Sequence, residues 1–286
     1  MKSYFLLSVF ALLLCGASEA YCATLAAEDF EDYAAGGQIH GLSGGQGFTG
    51  AWDVPVAARR PEFTVVNGGL NYSNGGITIN GGDRAAQYAA TESGIAILGG
   101  RSFPAQSSAI YLSFLYNQSV ENGNDDFMQL GFDTAPGNNP RVTALDRNGE
   151  FQLRSTTSAA NSVGTGVTST PGETFFLVLK AEKTGGSSTY NDLTLWVDPD
   201  SSSELDNIAS ATTTVNSGLD LSGSAAFVIR KAFQESGDTF LIDQIRIGDS
   251  FSDVASSNVP EPASIAIWSL IGLCLTWFGY YRIRRQ

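Results

Sequence analysis

The stretch Ile110-Tyr111-Leu112-Ser113-Phe114-Leu115-Tyr116 decides the fold. Ile110, Leu112, Phe114 and Tyr116 fall on one face of an extended chain, the period of two that marks a strand. Outward from it the same period returns. Phe175, Leu177 and Leu179 alternate with Phe176, Val178 and Lys180. Leu193, Leu195 and Val197 alternate with Thr194 and Trp196, and residues 239–247 read TFLIDQIRI. Between these runs stand turn signals: Asn74-Gly75-Gly76, Asn80-Gly81-Gly82, Asn148-Gly149 and Gly185-Gly186. Many strands joined by short turns in one stretch predict an all-β body, a two-sheet antiparallel sandwich whose inner faces share one core. No repeat of fixed period argues for a propeller or solenoid. The polar stretches 155–170 and 201–203 read as loops, and 251–258 as a short linker.

Both ends of the 286-residue chain read differently from its middle. Lys2, the apolar run Tyr4 to Leu14 and the small residues around Ser18-Glu19-Ala20 have the form of a secretory signal peptide, assigned to residues 1–23, with cleavage after Ala20 or Ala23. From Ile265 to Tyr281 no residue is charged, a length that crosses a bilayer as one transmembrane helix with little to spare. Trp268 at one end and Trp277, Phe278, Tyr280 and Tyr281 at the other suit the aromatic belts, and Arg282, Arg284 and Arg285 place the tail inside. The expected layout is therefore a signal peptide (1–23), a sandwich (24–250), a linker (251–258) and a membrane segment (259–286).

Charge fits export. With Lys2 and the three tail arginines set aside, the body keeps 12 basic residues; with Glu19 and Glu261 set aside, it keeps 27 acidic ones, a net charge of −15. Nucleic acid is excluded as a partner on that ground. Of the three cysteines, Cys15 lies in the signal and Cys274 in the apolar run, leaving Cys22 alone. No disulfide framework or cysteine metal site holds the body together.

The tripartite end, Val259-Pro260-Glu261-Pro262-Ala263-Ser264, then the apolar run, then Arg282-Ile283-Arg284-Arg285, resembles the PEP-CTERM sorting signal of exopolysaccharide-producing Gram-negative bacteria. The resemblance implies an exosortase, a membrane cysteine protease, as partner. Val259, Pro260, Glu261 and Pro262 would be its recognition element, with Arg282, Arg284 and Arg285 completing the signal. The phrases EDFEDYAAGGQIHGLSGGQGFTGAWDV (28–54), DLTLWVDPD (192–200) and FLIDQIRIGDSFSDV (240–254) look like the concanavalin A-like, laminin-G-type jelly rolls. That resemblance implies a jelly-roll sandwich and, since fold does not fix function, no activity.

Catalytic constellations are missing from the residues. Sandwich glycosidases need two carboxylates across the sugar, and the Glu-x-Asp-x-Glu spacing does not occur; EDFED at 28–32 is spaced differently. His40 is the single histidine, too few for a triad or a zinc site. The chain is thus expected to be non-catalytic, with a secreted polysaccharide-acting glycoside hydrolase or lyase as the alternative. For carbohydrate binding, Trp52, Trp196, Tyr72, Tyr88 and Tyr111 have the right ring type, each with a core role as its competitor. On the last strand, alternation puts Asp243 on one face with Leu241, Ile245 and Ile247. Asp29 and Glu31 share a face near the start, and with Asp243 they form a candidate site for a structural calcium ion. The competing readings give Asp243 backbone amides, an arginine, or the role of an inward charge that blunts an edge strand. No cofactor is otherwise required.

Overall fold

The computed structural model describes residues 24–256, apart from 92, 93, 95, 121, 122, 124, 125 and 156–160. The signal-peptide and sorting segments fall outside the described residues. Among the described residues no helix is long and apolar enough to cross a membrane.

The described residues form an essentially all-β, antiparallel body. In order its strands are β1 (Ala26–Glu28), β2 (Phe63–Asn67), β3 (Asn71–Asn74), β4 (Ile77–Asn80), β5 (Arg84–Ala89), β6 (Ala96–Phe103), β7 (Ile110–Gln118) and β8 (Phe127–Asp133). They continue with β9 (Val142–Arg147), β10 (Glu150–Ser155), β11 (Ser162–Thr168), β12 (Thr174–Glu182), β13 (Asp192–Val197), β14 (Ala211–Thr214), β15 (Ala225–Ala232) and β16 (Thr239–Gly248). One sheet has the order β14-β13-β12-β7-β16-β5-β2 with β1 also on β16; the second runs β11-β10-β9-β8-β15-β6; β3 and β4 form a separate hairpin.

The two large sheets pack face to face. Ile110, Leu112, Phe114 and Tyr116 of β7 meet Met128, Leu130, Phe132, Phe151 and Leu153 in the main core. Phe151 and Phe175 stand 4.9 Å apart edge to face across that core, and Tyr116 lies 5.8 Å from Phe151. The other side of β7 is buried as well. Tyr111 and Leu115, with Phe176, Val178 and Trp196, form a second apolar layer roofed by Leu70, Tyr72, Ile77 and Ile79 of the hairpin region and by Phe251, Val254 and Ala255. The eight-stranded sheet is therefore buried on both faces, which is why β7 is apolar on both.

Three expectations are corrected. The stretch 251–258 is not a plain linker: Phe251–Ala255 is a short helix, α1, with a capping box in which Asp253 N–H donates to Ser250 Oγ and Ser250 N–H to Asp253 Oδ2. Burial of Phe251 and Val254 against Trp196 makes it part of the body. The polar stretch 155–170 contains β11, an edge strand whose Val163 and Val167 pack on the core while glycine and threonine face out. Asp243 does not share a face with Ile245 and Ile247, because the register of β16 on β7 slips between Asp243 and Arg246, with Gln244 at φ 49°. The bulge sits where β16 changes neighbour: residues 239–242 pair with β5 and 245–247 with β1. Phe240 and Ile242, then Ile245 and Ile247, point into the main core, leaving Asp243 on the opposite side.

Candidate functional site, a polar cleft under the hairpin

The hairpin of β3 and β4 lies across the outer face of the eight-stranded sheet. Tyr72 packs its ring 5.4 Å from that of Phe176 and donates its hydroxyl to the Pro199 carbonyl at 3.2 Å. Asn74 Nδ2 donates to the Asp198 carbonyl at 2.9 Å, and Gly76 N–H to the Asp200 carbonyl at 2.6 Å. These bonds latch the hairpin to the chain leaving β13. Between the hairpin and the start of β12 opens a cleft of about 510 Å³ lined by Asn71, Tyr72, Ser73, Asn74, Glu173, Thr174 and Asp198.

Asp198 anchors this cleft. Its backbone adopts φ 54°, the left-handed region that aspartate tolerates better than most side chains. It exchanges two bonds with Phe176, accepting that N–H on Oδ1 at 2.8 Å and donating its own N–H to the carbonyl at 2.8 Å. Burial pushes its carboxyl up to about 6; the Phe176 N–H opposes the rise and the charge of Glu173 adds to it. Burial also raises the Tyr72 hydroxyl. The wall thus offers amides, hydroxyls and two carboxyl groups with almost no apolar lining beyond one ring. Such a wall carries both hydrogen-bond donors and acceptors.

Of the aromatic candidates, Tyr72 alone borders the cleft. Trp52 is buried between the sheets, edge-on to Phe63 and Phe227, and donates Nε1 to Glu28 at 3.2 Å. Tyr88 stacks on Phe240 in the main core. Trp196 does face away from that core, but into the second layer, 5.0 Å from Phe251. Tyr111 is buried beside it, its hydroxyl donating to Glu204 Oε2 at 2.7 Å. His40 accepts the Val54 N–H on Nδ1 at 3.1 Å, a structural bond.

The calcium ligand set does not form. Asp243 accepts Leu70 N–H on Oδ2 at 2.8 Å and Gln244 N–H on Oδ1 at 2.7 Å. Glu31 Oε1 accepts the N–H groups of Asp83 and Arg84 at 2.6 and 2.8 Å, and Asp29 Oδ1 that of Glu31 at 3.1 Å. Among the described residues no group of three His, Cys, Asp or Glu side chains is placed to hold a metal ion. The carboxylates are near enough to feel each other: burial first, then the charges of Asp29 and Glu31, push the Asp243 carboxyl up to about 8, against the pull of its two N–H donors.

Sequence reading missed Asn71, Ser73, Asn74, Glu173, Thr174 and Asp198 as a group. Asn74 signalled only a turn, and Asp198 only a strand end; what joins them is a bond spanning 124 residues. The sorting residues 259–262, 282, 284 and 285 lie outside the described residues.

No protein-family model matches the chain, and no curated protein matches it in sequence. Among solved structures it is similar to the carbohydrate recognition domain of Emp46p in its metal-free form, with a TM-score of 0.40, 9% identity and coverage of 69% of this chain and 93% of that one. The corresponding domain of Emp47p gives a TM-score of 0.38 at 11% identity, covering 65% and 88%. The binding domain of botulinum neurotoxin DC in complex with SialylT gives 0.41 at 10% identity, covering 87% of this chain and 52% of that one. Likenesses of that size assign no ligand to this chain.

Proposed function

We propose that the protein is an exported, non-catalytic cell-surface or extracellular-matrix protein whose sandwich binds carbohydrate in the cleft under the β3–β4 hairpin. The observation that carries the binding role is the lining itself: Asn71, Ser73, Asn74, Glu173, Thr174 and Asp198 beside the ring of Tyr72. Residues 1–23 direct export. The run 265–281 then holds the body outside the inner membrane, and an exosortase-type protease reads 259–262 and removes the tail. The order of Pro-Glu-Pro, apolar run and arginines supports that reading, since prolines hold an extended backbone that a protease cleft can grip.

Titration calorimetry against a panel of neutral and acidic polysaccharides tests the cleft. Glu173 is exposed, so Glu173→Ala leaves the fold intact, and it is expected to weaken binding about tenfold, or 1.4 kcal/mol. Equal affinity in wild type and variant removes the cleft from the reading. Mass spectrometry of the surface fraction tests sorting: the mature form lacks the segment after Pro262, and a chain still carrying Arg284 and Arg285 refutes processing.

A second reading, a secreted polysaccharide-acting enzyme, has one observation in its favour. Asp198, whose carboxyl burial pushes up to about 6, lines the same cleft as Glu173, and glycosidases work with two carboxyl groups across the sugar. Reducing ends released by purified protein and lost in Asp198→Asn would replace binding by cleavage.

A further inference from the structure

Two of the most exposed large apolar side chains sit together on one loop. Leu205 is 96% exposed and Ile208 94%, although the loop that carries them is tightly built. Asn207 uses its whole amide to fasten it: Nδ2 donates to the carbonyls of Ser201 and Ser203 at 2.7 Å each, and Oδ1 accepts from Asp200 and Ser201 N–H at 3.0 and 3.2 Å. A single turn of 3-10 helix, Glu204–Asp206, follows. Glu204 ties that turn to the sheet, accepting from Tyr111 Oη at 2.7 Å and Lys180 Nζ at 3.0 Å. A loop fixed at this many points does not bury Leu205 and Ile208 by relaxing, so their apolar surface is presented outward.

The place of this tip indicates what it meets. It stands on the outer face of the eight-stranded sheet, beside α1: Tyr111, which holds Glu204, has its ring 6.4 Å from that of Phe251. The described chain ends one residue past α1, at Ser256. Only residues 257–264 separate that point from the apolar run beginning at Ile265, and fully extended they reach at most about 29 Å. We infer that Leu205 and Ile208 form a membrane-seating tip, inserting into the interface of the bilayer while the C-terminal run still holds the body there. This rests on the anchoring read from residues 265–281.

The chemistry around the tip selects apolar insertion over headgroup capture. Asp200, Glu204 and Asp206 surround it, and the nearby cation, Lys180, is already held by Glu182 and Glu204 at 3.0 Å each. Nothing there attracts anionic lipid, so the seat suits a neutral, zwitterionic surface and ought to be insensitive to salt. Once the tail is cut, two side chains are too small an anchor to retain the protein, so the contact lasts as long as the tether.

The test uses the full chain with Cys15→Ser, Cys22→Ser and Cys274→Ser, carrying an environment-sensitive fluorophore on Leu205→Cys or, as control, on Thr168→Cys at the exposed edge of the other sheet, reconstituted into phosphatidylcholine vesicles. Flotation with the vesicles reads the anchor separately from the tip. The expected result is flotation of both labelled proteins, with a blue shift and quenching by spin-labelled lipid for the 205 probe alone, unchanged at high salt. Flotation with a water-like 205 probe overturns the tip and leaves the anchor standing. Failure to float overturns both. A blue-shifted 205 probe that spin-labelled lipid does not quench points to a second copy of the chain and also overturns the membrane seat. Ile208→Ser, at a position too exposed to affect folding, is expected to reduce the 205 shift.

Discussion

Glu28 and Asp243 are both carboxylates closed off from water on neighbouring strands of one sheet, 1% and 0% exposed, yet they are accommodated in opposite ways. Glu28 is surrounded by donors. Oε2 accepts from Tyr33 Oη at 2.7 Å, Trp52 Nε1 at 3.2 Å and Arg101 Nη1 at 2.6 Å, and Oε1 from Phe30 N–H at 3.1 Å. Burial pushes its carboxyl above the usual carboxylate range, and these four partners oppose that rise without cancelling it. Asp243 has two backbone N–H groups and the like charges of Asp29 and Glu31 nearby, and its carboxyl rises to about 8. Desolvation raises both; they differ in their partners, a guanidinium and neutral donors for Glu28 against backbone amides and like charges for Asp243. One site is an ion pair that ties the N-terminal segment to the second sheet. The other is a neutral acid that hydrogen-bonds the hairpin.

The comparison can be broken at several points. Glu28→Ala leaves the Arg101 guanidinium buried without its counter-charge and is expected to cost about 3–5 kcal/mol in urea unfolding. Glu28→Gln with Arg101→Met, which removes both charges, should recover most of that loss. For Asp243 the effect is a pH dependence. An unfolded aspartate loses its proton near pH 4, whereas the folded one keeps it to about 8. Between those values the native state binds more protons, so the stability this group supplies is whole below pH 4 and declines as pH rises toward 8. The slope is about 1 kcal/mol per pH unit, or about 3 kcal/mol between pH 5 and 8. Asp243→Asn should flatten it, and an unaltered pH profile in that variant would assign the slope elsewhere.

Smaller effects sharpen the same contrast. A Cβ on Gly81 would meet both Asp243 Oδ2 and the backbone of Leu70, so Gly81→Ala should lift the hairpin and cost about 1–3 kcal/mol. Calcium or chelator should leave the thermal midpoint unchanged, since among the described residues no group of three His, Cys, Asp or Glu side chains is placed to hold a metal ion. A rise in the midpoint with calcium would restore the metal reading.

The sequence is most legible where one local signal decides one local structure. The alternation of 110–116 correctly places Ile110, Leu112, Phe114 and Tyr116 toward the core. Asn148-Gly149 turns β9 into β10 with φ of 54° and 71°, as a two-residue hairpin turn demands. Parity fails on β16, because the bulge at Asp243–Gln244 answers a change of neighbouring strand that no local pattern encodes. Trp196 illustrates the second limit. Its side of the strand was readable, but the layer that covers it comes from Phe251, 55 positions later. The cleft was illegible for the same reason, since its walls come from β3, the start of β12 and the end of β13, brought together by tertiary bonds.

The position of β16 sets the order in which the protein can assemble. Among the described residues this strand is the last, yet it lies inside its sheet, with β7 on one side and β5 and β1 on the other, and β1 is the first. Until Thr239 and the residues after it are available, the edges of β5 and β7 have no partner, and the sheet remains split. Closing it joins β16 to strands well over 100 residues earlier, and to β1 across 221 positions between Ala26 and Ile247, a slow step by loop entropy and contact order. The two halves of that sheet therefore meet only after nearly the whole of the described chain has been synthesised.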